Sequence, residues 1–162
     1  MLEIPYDREA ALAYADQWAL GRNPAYLDFS NLGGDCTNFI SQCLFAGIGV
    51  MNYTPDTGWY YIDGNRKAPA WTAARYLHRF LLGNAGPGPY AREEAPSALV
   101  PGDVIQLMNP EGTFYHSLFV MRVAGDEFFI ATHTLDAYLR PLSSYTYHRA
   151  SFLKILGGRR DA

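Results

Sequence analysis

The chain has no surplus of basic charge: 13 Lys and Arg stand against 16 Asp and Glu, a formal net charge of −3 over 162 residues. No stripe of clustered cations breaks that balance, so neither nucleic acid nor an anionic membrane surface is an expected partner. A membrane span is missing too. The longest uncharged stretch, residues 36–55, contains Thr37, Asn38, Ser41, Gln42, Asn52 and Thr54, too polar for a span of ~20 apolar residues. The opening MLEIPYDREAALAYADQ carries Glu3 and Asp7 and no apolar core of signal-peptide length. A cell-envelope or secreted location is expected only if a signal or partner domain has been removed, and a cytoplasmic one otherwise. Cysteine is scarce, with only Cys36 and Cys43. On one helix the two would lie ~10 Å apart along the axis, beyond the ~7 Å Cα limit of a disulfide and too far to share a zinc ion. With no CxxC and no HExxH, neither a metal nor a cofactor is expected.

What is present is enough for one folded domain. At 49% hydrophobic and 18% charged, the chain lies far from the composition of disordered proteins. Its length matches a single domain, 1–162, with a core over about 6–156 and a mobile tail at 157–162.

The pattern runs from helices to strands. Asp7 is placed as an N-cap, and Ala11, Tyr14, Ala15 and Trp18 recur at helical spacing until Gly21. Asp35 is placed to cap a second helix over about 36–46, with Phe39, Ile40, Cys43 and Leu44 on its apolar face. A third helix is expected over about 70–82, from Trp71, Ala74, Leu77 and Leu81, stopping at Gly83. Residues 84–97, with three prolines and two glycines, read as a surface loop. From Pro101 and Gly102 onward the period changes to two. Strands are expected at 103–107, 114–123, 127–134 and 151–156, with Gly125 and Asp126 as a hairpin turn. The fold class is α+β, with N-terminal helices packed on an antiparallel sheet.

Chemistry gathers around Cys36. A thiol in the first turn of a helix sits beside unpaired N–H groups and the positive dipole end, which favour the thiolate. The same N–H groups suit an oxyanion, and Gly33 and Gly34 let a substrate backbone approach. The plainer reading is a small buried residue. A two-residue turn at Gly125 and Asp126 pairs Val123 with Phe128 and Leu118 with His133, which puts His116 and His133 on one sheet face, ~7 Å apart. Phe114, Leu118, Val120, Phe129 and Ala131 share that face, which is expected to pack on the cysteine helix. Two histidines there, next to a helix-start cysteine, fit a nucleophile, a base and a group that orients the base. A register shift of one would send His133 to the far side. His78 and His148 read as surface residues, and Cys43 as packing.

At GGDCTNFISQC, residues 33–43, the chain resembles the putative amidase domain family, a branch of the NlpC-type, papain-like cell-wall peptidases. YDREAALAYADQWA, WYY at 59–61, Trp71 with Thr72, PGDVIQL at 101–107, HSLFV at 116–120 and ATHT at 131–134 follow in the family's order. The resemblance implies a papain-like fold with Cys36 as nucleophile, His116 as general base and acid, and His133 orienting His116. Asp35 and Asn38, inside the matched motif, are expected to cap the helix or to line the site. Trp59, Tyr60, Tyr61 and Trp71 divide between groove and core. Tyr115 departs from the family pattern, which tends to place an acidic residue before the histidine. The function implied is a thiol hydrolase acting on an amide in a peptide or peptidoglycan-type substrate through a thioester. The alternatives are an acyl- or peptidyl-transferase using the same thioester, and a non-catalytic wall- or peptide-binding module.

Overall fold

The computed structural model describes all residues from Met1 to Ala162. Strand β1 (Leu2–Ile4) precedes helix α1 (Arg8–Trp18), whose N-cap Asp7 accepts a hydrogen bond from the Ala10 N–H. Helix α2 (Cys36–Ile48) ends at Gly49 in the left-handed conformation, φ 74°, which a residue with a Cβ resists. A small hairpin, β2 (Tyr61–Asp63) and β3 (Arg66–Lys67), leads to helices α3 (Pro69–Thr72) and α4 (Ala74–Gly83). The single helix expected over 70–82 is therefore two. Ala73, in an extended conformation, separates them, although no glycine or proline marks the break.

The rest is sheet: β4 (Gly88–Glu94), β5 (Val104–Met108), β6 (Phe114–Ala124), β7 (Glu127–Thr132), β8 (Ala137–Pro141) and β9 (Arg149–Arg160). Strand order is β1-β9-β5-β6-β7-β8, with β4 also paired to β9, and every pairing is antiparallel. The segment expected to be a loop, 84–97, contains β4, whose one glycine and one proline, Gly88 and Pro89, sit at its start against the long β9. The tail expected to be mobile is not free. β9 continues to Arg160 and pairs Gly158–Arg160 with β1, because the bare chain there finds two strands to bond.

Each face of the sheet has its own apolar core. On the helix side Phe39, Ile40, Leu44, Trp59, Trp71 and Leu77 pack with Val104, Phe119, Ala131 and Leu153. On the other side Ile105, Leu107, Leu118, Val120, Phe128 and Ile130 pack beneath Leu99 and Leu142. The Gly125–Asp126 turn forms as the spacing implies, and Val123 pairs with Phe128. The register then shifts between Val120 and Arg122, so that Phe119 pairs with Ala131. That bulge decides which side each later residue faces.

Candidate active site

Cys36 opens α2 and is partly exposed. It lines a cavity of about 320 Å³ with Gly33, Gly34, Tyr115, His116, Thr134 and Tyr145. Cys36 and His116 thus line one cavity, but not as the flat hairpin implies. The helix-facing residue of β6 is Ser117, whose hydroxyl bonds the Thr37 hydroxyl of α2 at 2.8 Å. His116, one residue earlier, lies on the opposite side, paired with Leu107 and 5.9 Å from the Tyr145 ring centre to centre. It reaches the cavity beyond the start of α2.

Two local fields act on the pair. Burial pushes the Cys36 thiol above its ordinary value and the neighbouring Asp35 carboxylate adds to the rise, against N–H groups of Ser117 and Thr37 and the Thr37 hydroxyl. The expected depression at the helix start is overcome by desolvation. His116 moves the other way, down to about 4, through burial first and the Arg140 guanidinium second. At neutral pH the two groups are a thiol and a neutral imidazole.

His133 does not reach His116. It keeps the expected helix side with Ala131, its ring stacked on Phe39 at 4.2 Å, while the bulge turns His116 to the other face. Its Nδ1 meets Asp35 Oδ2 at 2.5 Å, and its Nε2 meets the Trp18 carbonyl at 2.9 Å. A carbonyl only accepts, so Nε2 carries a proton. Both nitrogens are occupied and the ring is buried, which leaves neither for orienting His116. Asp35 does not cap α2 with its side chain. Its Oδ1 accepts from the Phe29 N–H and Asn38 Nδ2, while its own N–H donates to the Thr134 hydroxyl. It pins the residue before Cys36 to the end of β7.

The other expected lining residues lie inside the protein. Asn38 accepts from Trp71 Nε1, and Ser41 accepts from Trp59 Nε1 while donating to the Trp71 carbonyl. The two indoles pack 4.6 Å apart, both fully buried. Asp35, Asn38, Trp59 and Trp71 are thus placed beneath the site, as its foundation, and none of them lines a cavity at Cys36. Cys43 is buried in the core as expected. His78 is less exposed than its helix position implies, stacked on Phe114 and within 3.1 Å of the Ser151 hydroxyl.

The residues not singled out from sequence are Thr134, Tyr145 and Arg140; Tyr115, noted only as a departure from the family pattern, lines the cavity as well. Tyr145 projects its hydroxyl, buried without a partner, near Cys36, with Arg140 held 3.7 Å over its ring. Nothing in the spacing of that loop marks it. Thr134, next to His133 in ATHT, had a visible neighbour.

The model of the putative amidase domain matches residues 5–156. The chain belongs to that family. It is also similar to the uncharacterized protein YhbB of Bacillus subtilis (strain 168), 34% identical over 139 residues, which cover 83% of this chain and 43% of that protein. The chain therefore spans less than half the length of this relative. No solved structure matches. For this member of the amidase family, the match takes in Cys36, His116 and His133 together with all the helices and most of the sheet.

Proposed function

We propose that the chain is a cysteine-dependent amidase of papain-like, NlpC-type organisation, with Cys36 as nucleophile and His116 as general base and acid. The observation that carries this reading is the shared cavity: a helix-start thiol and an imidazole open onto the same space, beside two glycines with nothing within 4 Å of where a Cβ would stand. In the first half-reaction, Cys36 Sγ bonds to the amide carbon as its proton passes to His116. The C–N bond then breaks and the amine leaves with that proton, giving a thioester. In the second, water attacks the thioester, His116 takes its proton and returns it to sulfur, and the carboxylic acid departs. The N–H of Cys36 is assigned to the oxyanion. A peptide of the peptidoglycan stem is the substrate we assign, on the family resemblance.

The pair is tested without a substrate by alkylation with iodoacetamide, resolved by mass spectrometry. Cys36 should react in the folded protein while Cys43, fully buried, does not, and His116→Ala should slow Cys36. A Cys36 as inert as Cys43, or a rate indifferent to His116→Ala, would falsify the assignment. Stem-peptide hydrolysis, where found, should vanish in Cys36→Ala.

A further inference from the structure

We propose that the groove accepts amides whose acyl portion carries a carboxylate, held by Arg75 and Lys67; this rests on the Cys36–His116 reading above. Two cavities meet over Cys36 and share Gly33, Gly34 and Tyr115. The first contains His116. The second, about 220 Å³, is bounded by Thr72, Ala73, Ala74 and Arg75. It adjoins a third, about 470 Å³, through Gly33, Gly34, Thr72 and Ala73, and that one contains Lys67.

No aspartate or glutamate lines any of the three. In a chain of net charge −3 this is a local inversion of sign. The two cations are also free of carboxylates. Arg75 is exposed, its guanidinium 4.7 Å from the Tyr76 ring and bonded to that hydroxyl. Lys67 Nζ donates to the Gly64 carbonyl and lies 4.9 Å from the Phe29 ring. Arg8, Arg22, Arg66, Arg92, Lys154 and Arg159 each sit within 4.0 Å of a carboxylate; Arg79, Arg122, Arg140, Arg149 and Arg160 are unpaired too, but none of them lines these three cavities. A cation left unpaired in a cleft free of acids is a standing attraction for an anion.

The chemistry sets which part of the substrate brings that anion. His116 must give its proton to the departing amine, so the amine lies on the His116 side of Cys36. The acyl portion then runs along the other limb, where Arg75 and Lys67 are.

The probes are iodoacetate and iodoacetamide, which alkylate a thiolate by the same displacement of iodide and differ in carrying a carboxylate or an amide. Their rate ratio at Cys36 is measured at one pH in the wild type, Arg75→Gln, Arg75→Glu and Lys67→Gln. Arg75→Gln should lower the iodoacetate-to-iodoacetamide ratio by about threefold, the scale of an exposed charge. Arg75→Glu should lower it further, Lys67→Gln less, and salt at about 0.5 M should narrow the differences. A ratio that stays constant through all three variants overturns the proposal. Failure of the underlying reading has a different mark: His116→Ala would leave both rates at wild-type values, whatever the ratio.

Discussion

The titration of Cys36 and His116 separates two ways in which a thiol and an imidazole can work together. With the thiol raised by burial and His116 lowered to about 4, no stable ion pair waits in the cavity; on the proposed reading the proton moves only as the substrate is attacked. Alkylation of Cys36 should therefore show a slow, His116-assisted rate between about pH 5 and 8 that His116→Ala removes, and above it a climb into the alkaline range as the free thiolate forms, in place of the fast plateau a preformed thiolate–imidazolium pair gives. Arg140 provides a second lever. Its charge disfavours the imidazolium, so Arg140→Gln should raise the His116 pKa from about 4 toward the ordinary 6.5, read from the ring proton shifts by NMR. Stability follows with a definite sign. Because the folded value lies below the unfolded one, the unfolded chain binds more protons between about 6.5 and about 4. This contribution is intact above that window and lost as pH falls through it. Urea midpoints measured across the window should flatten in His116→Gln. An identical slope in that variant would show that His116 is not the group responsible.

The start of α2 is held at several points, and these explain how a partly exposed cysteine is kept in one place. Asp35 is fixed to β7 by His133 and Thr134, Thr37 to β6 by Ser117, and Asn38 and Ser41 to the tryptophan pair. The Asp35–His133 contact is the most exposed to mutation in energetic terms, since both side chains are buried. Removing one partner of such a pair costs about 3–5 kcal/mol because the other is left without compensation. Asp35→Asn should lower the unfolding free energy by roughly that amount in urea titration, and Ser41→Ala by about 1–3 kcal/mol through the lost partner of Trp59. An Asp35→Asn protein as stable as wild type would mean that the contact is not an ion pair. At this scale the sequence is legible where pattern and chemistry coincide. The cysteine at a helix start, the capping Asp7, the Gly125–Asp126 turn and the core position of Cys43 all follow from spacing and residue type. The bulge between Val120 and Arg122 does not, because no Gly or Pro marks it and the alternation of residues reads equally well on either side. That single inserted residue puts His116 on the face away from the helices while His133 stays on the helix side, and so converts an expected orienting group into an anchor. The tryptophans illustrate a related ambiguity: an aromatic ring satisfies a groove or a core alike, and their N–H groups find buried oxygens that only the folded chain brings near.

At the scale of the molecule, β9 joins the two ends of the chain into one sheet. Its first residues pair with β5, its middle and later ones with β4, and its last with β1. Arg159 fastens the end: it meets Glu3 at 3.0 Å, donates to the Asn84 carbonyl and lies 3.9 Å over the Tyr90 ring. Glycines at 157 and 158 make a featureless, tail-like sequence, yet Gly158 is required there. A Cβ at that position would stand 2.8 Å from Ile48 and 3.2 Å from the Gly88 carbonyl, so a small residue is the condition for β4 and α2 to close on the strand. Deleting residues 157–162 should then cost the β1 pairing, the first part of the β4 pairing and the Arg159 contacts together. We expect a loss of about 2 kcal/mol or more and a fall in Tm of roughly 5 °C or more, with faster hydrogen exchange in β1 and at the start of β4. Deleting only Asp161 and Ala162, which lie outside the strand, should change none of these. None of the removed residues lines the cavities at Cys36, so below the new Tm its alkylation rate should match that of the full chain. A truncated protein with unchanged Tm would make the tail dispensable after all. One that keeps its Tm deficit but also loses Cys36 reactivity would show that the closure of the sheet reaches the start of α2.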